Sequence, residues 1–205
     1  SGYFEQVTDI DASLTQYWDD SDVDDDGDKY NEPEDEILAG DNQGFSPIGN
    51  STVKFTGVYD GGYHSIEGLT INRSDSAIAM FGWANGAIIQ NLGLTNANIA
   101  GGDYTASLIG RNDNGSRTIN SYSTGMVNGV NAVGGLVARN GDSSEVDNSY
   151  SICEVIGENK VGGVVGSNFD SSKINNSYSI GAVNGNSNVG GLVGNNSDQS
   201  EINNS

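Results

Sequence analysis

The apolar positions of this chain come in short runs separated by Gly, Asn, Asp and Ser, and no long stretch carries the three-to-four spacing of a helix face. One run recurs. The blocks AMFG, SLIG, GLVA, GVVG and GLVG begin at Ala79, Ser107, Gly135, Gly163 and Gly191, a constant step of 28 residues. Other columns keep that register: Tyr122, Tyr150 and Tyr178; Val127, Val155 and Val183; Val133, Val161 and Val189. Two asparagine columns follow it as well, Asn112, Asn140, Asn168 and Asn196, then Asn120, Asn148, Asn176 and Asn204. A unit of this length with two or three short strands cannot bury its apolar face alone, so the units must stack and share one core. The pattern predicts an all-β, right-handed parallel β-helix (β-solenoid) with 28-residue coils.

Strict strand alternation over Ile174 to Ile180 puts Ile174, Asn176, Tyr178 and Ile180 inside and Asn175, Ser177 and Ser179 outside. The Asn120 to Asn204 column is then buried, where an amide-to-amide ladder with rungs about 4.8 Å apart satisfies groups that are costly to bury unpaired. Tyr122, Tyr150 and Tyr178 are expected to stack inside, beside that ladder. Leu192 and Val193 are adjacent, so both face inward only if the strand bends or bulges at Gly190 and Gly191. Backbone packed too closely for a side chain is the expected reason for those glycines.

The full Gly-Leu-Val-Gly block at Gly191 to Gly194, with near copies at Gly163 to Gly166 and Gly135 to Ala138, resembles the GLUG-motif repeat proteins. These occur in large bacterial and archaeal surface proteins, including haemagglutinin-like adhesins and immunoglobulin-A peptidase-type proteins. The segments Asp9 to Ser13, Phe45 to Gly49, Phe55 to Gly57 and Asp60 to Ile66 look like the stretches that precede such repeats. The resemblance implies a β-helical stalk or adhesive region and no catalytic residue. On this reading residues 1–78 are an N-terminal β-helix segment with an acidic insertion at about 19–41. Residues 79–205 are the repeats, which are expected to continue beyond Ser205 because the chain stops mid-repeat.

Composition sharpens the picture. Thirty glycines and only two prolines suit repeated tight turns and not helices, in which each interior glycine costs about 1 kcal/mol. A formal charge of −20 with only eight basic residues argues against nucleic acid or an anionic membrane surface as a partner. No run of apolar residues is long enough to span a membrane. Twelve of the 28 acidic residues and one lysine lie between Asp19 and Asp41, so that window carries −11 and the rest of the chain −9. Within it Asp22, Asp24 and Asp26 fall at positions 1, 3 and 5 of a calcium loop, with Gly27 at the turn and Asp28 next. Pro33 stands where a helix-hand loop closes with glutamate, so the closing ligand falls to Glu32, Glu34 or Asp35, with Glu34 taken here; the alternative is a solvated acidic insertion. Structural calcium is the expected cofactor. Calcium should then raise the melting temperature, magnesium less so, and metal-stripped protein that binds none at millimolar concentration would remove the site.

Catalytic chemistry finds little purchase. Cys153 is the only cysteine, so neither an internal disulfide nor a Cys metal cluster can form, and it is expected as a small buried residue. His64 is the only histidine and falls in a segment the resemblance explains structurally. Asp60, Glu67, Asp75, Asp103, Asp142, Glu145, Asp147 and Glu154 are carboxylates of the right type for polysaccharide chemistry, but spacing does not pair them. Arg111 and Arg139 fall one coil apart in one column and are expected to splay into solvent; a carbohydrate or carboxylate site is the sharper alternative. Trp83 is expected as end-of-strand packing. The reading is a non-catalytic, extracellular or cell-surface rod or adhesin segment, with cell-surface glycans or host or cell-surface proteins as partners and end-to-end or lateral self-association into fibres. The competing reading is a polysaccharide-acting enzyme or carbohydrate-binding module.

Overall fold

Small polar residues decide where this chain turns. Asn120, Asn148 and Asn176 have φ of 49°, 51° and 50°, a left-handed conformation that asparagine tolerates better than most residues. One coil-corner away, Asp142 and Ser143 (55° and 61°) and Asp170 and Ser171 (54° and 59°) form successive left-handed pairs. Between these corners run short extended segments. In a computed structural model that describes residues 2–18 and 43–205, they wind into a stack of parallel coils.

One coil shows the plan. Val137–Asn140, Glu145–Asp147, Tyr150–Ile156 and Asn159–Gly162 form four sides, called I to IV in that order. Side I is a five-stranded sheet running from Phe81–Asn85 to Val193–Asn196, and side II a seven-stranded one from Tyr3–Glu5 to Glu201–Asn203. Side III has eight strands and side IV four. Pairing is parallel and in the register of the repeat: Tyr122 with Tyr150 and Tyr178, Val137 with Val165 and Val193, Val146 with Ile174 and Ile202. Toward the N-terminus the register loosens, Tyr122 pairing with Gly93, and an irregularity between Ser123 and Gly125 restores the 28-residue step. The interior is filled by like on like, with Leu108, Leu136 and Val164 in one column and Ile109, Val137 and Val165 beside it. A second cluster, Val127, Val133, Cys153, Val155 and Val161, fills the space between sides III and IV.

The left-handed corner overturns strict alternation between Ile174 and Ile180. Because Asn176 turns the chain between sides II and III, Ile174, Ser177 and Ser179 face in, while Asn176, Tyr178 and Ile180 face out. The tyrosines do stack, with ring centroids 5.0 Å apart and planes within 5°, but on the outer surface, where Tyr178 is 48% exposed. The buried asparagine ladder is the other column. Asn112, Asn140 and Asn168 are fully buried, and each Nδ2 donates to the next Oδ1 at 2.8, 2.8 and 2.7 Å, ending on Asn196. Serine ladders accompany it. Ser116, Ser144 and Ser172 donate their backbone N–H to Oγ of Ser144, Ser172 and Ser200, each at 3.1 Å. The Ser121, Ser149, Ser177 and Ser205 column does the same.

The paired glycines mark the corner between sides IV and I, which is how Leu136 and Val137 both face inward. A Cβ on Gly163 would collide with the Gly191 carbonyl oxygen and Ser179 Oγ, and one on Gly162 with the Val165 carbonyl oxygen. The last position of the block is restricted for a different reason. A Cβ on Gly166 would come within 2.7 Å of the Ala132 carbonyl carbon and the Ala138 oxygen, so side I lies against side IV along this column. Ala79, Ala106 and Ala138 pack into the same angle, and Tyr104 covers them.

Candidate binding groove

Outside that angle the charged side chains converge. Trp83, Arg111, Arg139, Ser167 and Asn195 are register partners along side I. Tyr104, just before the strand Thr105–Ala106, and Ala132, Lys160 and Asn188, each second in its strand, follow one another along side IV, all left-handed, with φ of 58°, 54°, 53° and 52°. Asp113 ends the strand Ile109–Asp113, and Phe169 follows the strand Val165–Asn168.

Cations lie on aromatic rings here. The Arg111 guanidinium sits 3.7 Å from the Trp83 ring centre, Lys54 Nζ lies 4.5 Å from the same ring, and Arg139 lies 4.4 Å from that of Phe169. Trp83 is thus a mid-strand, outward plate and not end-of-strand packing. Arg111 and Arg139 do not splay. Arg139 Nη1 donates to Asp113 Oδ2 at 2.8 Å, and Arg111 Nη2 approaches the same oxygen at 3.1 Å. Their side chains are only 12% and 23% exposed, because one nearly buried carboxylate between two guanidiniums removes the repulsion that would drive them apart. Sequence reasoning missed Asp113. The available signal was its offset, two residues after Arg111 and therefore beside Arg139 of the next coil.

Burial pushes the Asp113 carboxyl up to about 6; Arg111 pulls it down, and the nearby Asp142 carboxylate adds to the rise. A folded value above the ordinary 3.8 means that the fold prefers the protonated acid. This contribution to stability is complete below 3.8 and is lost as pH rises through 6. Wild type should therefore gain stability relative to Asp113→Asn between pH 7.5 and pH 5 in paired urea melts. A difference independent of pH would contradict it.

Among the described residues the other sequence candidates do not gather. Asp22, Asp24, Asp26, Asp28 and Glu34 lie outside the described residues. His64 Nδ1 and the Ser65 hydroxyl both approach Asp9 Oδ1, at 3.4 and 3.3 Å, so the histidine does not stand between serine and aspartate as a relay requires. Hydrogen bonds from Asn91, Gln90 and the Gly62 N–H hold Asp60 below the usual carboxylate range. Glu145 is engaged by Arg117 and Asn175, and Asp147 by Asn176. Asp142 alone joins the groove, 3.9 Å from Arg139. Cys153 is fully buried, its thiol pushed up by burial and near Ser123 Oγ, the position of a packing residue. Among the described residues no helix is long and apolar enough to cross a membrane, and no cluster of three metal-ligating side chains occurs.

A crystal structure from Bacteroides ovatus, of a protein provisionally assigned as an immunoglobulin A1 protease, matches 98% of this chain with a TM-score of 0.66 at 21% identity. The chain is a parallel β-solenoid. The solenoid spans 57% of that structure, and the likeness carries the fold alone. Over 100 residues, 46% of the chain, it is 37% identical to halomucin of Haloquadratum walsbyi, of which it spans 1%. No family model matches.

Proposed function

We propose that the solenoid is a rigid, non-catalytic rod segment of an extracellular or cell-surface protein, displaying or performing adhesion to cell-surface glycans or proteins. The observation that carries this is the interlocking of the repeat coils from Asn112 onward, in which buried asparagine and serine side chains bond each coil to the next. Such a core invests its polar groups in stiffness. The likeness to halomucin, a mucin by name, supports the location. Structural calcium at Asp22, Asp24, Asp26, Asp28 and Glu34 belongs to the same proposal and rests on residue types alone.

One observation favours an enzyme. Asp113, raised to about 6, and Asp142 flank Arg139, an unequal pair of carboxyls of the kind that divides acid and base roles. Against it, the Asp113 oxygen Oδ2 is held by two guanidiniums and the group is nearly inaccessible. Antibody to the chain should label intact, unpermeabilised cells, and the purified chain should cleave neither polysaccharides nor immunoglobulin. Turnover of either substrate that Asp113→Asn abolishes would replace the rod with an enzyme; labelling only after permeabilisation would remove the surface location.

A further inference from the structure

The chain carries −20, yet four of its eight basic residues, Lys54, Arg111, Arg139 and Lys160, lie along one line beside the angle between sides I and IV. We infer that this groove is a binding site for acidic saccharides, sugars bearing sulfate esters or uronate carboxylates. The inference rests on the adhesive reading above and gives it a ligand class.

Four features converge. First, one cation is left over: Asp113 meets both Arg111 and Arg139, and Asp142 lies 3.9 Å from Arg139, whereas Lys160 has no carboxylate within ion-pair distance among the described residues. Second, there is room. A depression of about 190 Å³ is lined by Tyr104, Ala132, Arg139, Lys160, Phe169 and Asn195. It exists because the column that carries Tyr104 and Lys160 has alanine between them, at Ala132. Third, the walls mix ring faces with hydroxyl and amide groups, Tyr104 and Phe169 beside Ser167 and Asn195, the combination that accepts the C–H face of a sugar ring while bonding its hydroxyls. Asp198 at the exposed edge offers acceptors to hydroxyls. Fourth, Lys160 is left-handed, whereas the next coil places Asn188, a residue suited to that backbone, at the same position. Nothing in the packing of the coil requires the lysine, and its charge is directed to the groove.

An acidic peptide fits less well. Extended peptides gain affinity by adding to a free strand edge, and both walls here are made of strands already paired on each side, Asn131–Gly134 and Val137–Asn140 among them. Recognition is left to side chains.

Calorimetric titration at moderate salt tests this with a chondroitin sulfate hexasaccharide, an oligogalacturonate and neutral maltohexaose. The acidic oligosaccharides should bind and maltohexaose should not. Lys160→Asn should weaken binding about tenfold without lowering the melting temperature, because asparagine is native to that column at Asn188. Lys173→Asn, on side II, should leave affinity unchanged. Absence of binding at millimolar concentration, or affinity indifferent to Lys160→Asn, overturns the site. Preference for a polyglutamate peptide over both acidic sugars overturns the ligand class. None of these failures touches the rod reading, which stands or falls on surface labelling and turnover.

Discussion

Asn140→Leu is expected to destabilise the solenoid by about 3 kcal/mol, since each buried polar group left without its partner costs about 1–3 kcal/mol. Leucine has the same branched outline but is larger, so overpacking of a filled site adds to the loss of hydrogen bonds. Asn140 Nδ2 donates to Asn168 Oδ1 at 2.8 Å and lies 3.2 Å from the Lys173 carbonyl, and its Oδ1 accepts from Asn112 at 2.8 Å. The substitution orphans the Asn168 acceptor and leaves Asn112 with only long contacts of 3.4 and 3.5 Å to backbone oxygens. Asn176→Leu, in the outward column, should cost only about 1 kcal/mol, for a left-handed backbone without asparagine. Urea melts of the two variants decide between the columns. If the second costs as much as the first, the placement of the buried ladder is wrong.

Gly163→Ala should cost as much or more, about 3 kcal/mol, by a different route. The added methyl meets the Gly191 carbonyl oxygen and Ser179 Oγ, and neither can withdraw without separating two coils. Gly191→Ala makes the control. It has the same place in the repeat, yet lies in the last described coil, where a Cβ meets nothing within 4 Å, so its effect should stay within about 0.5 kcal/mol. Equal melting temperatures for the two variants would show that close coil contact is not what excludes side chains there.

The sequence announced the stacking because a period of 28 is a count, and counting needs no geometry. It also showed that Leu192 and Val193 require a bend at the glycines. What it misplaced follows from one physical cause. Alternation assigns sides correctly only along an unbroken strand, and each left-handed residue between strands shifts the phase by one. Strict alternation counts Asn176 as a strand residue and so places it and Tyr178 inside, with Ser177 and Ser179 outside. Asparagine serves both roles in this chain, buried ladder at Asn140 and exposed corner at Asn148, and nothing in its identity separates them. The groove was half legible. The Arg111 and Arg139 column was visible, but that a single carboxylate, Asp113, joins them across two coils depends on side-chain direction. Residue spacing along the chain does not carry that direction.

The interior hydrogen bonds also give the rod a sense of direction. In the asparagine ladder and in both serine ladders, donors belong to the earlier coil and acceptors to the later one. Where the ladder begins, Asn112 Oδ1 has no partner, because the coil before it offers Ala84 at that position. Cutting these ladders between two repeat coils would thus leave their donors on one face and their acceptors on the other. Two such faces can close only head to tail, so the core itself dictates that neighbouring coils share one polarity.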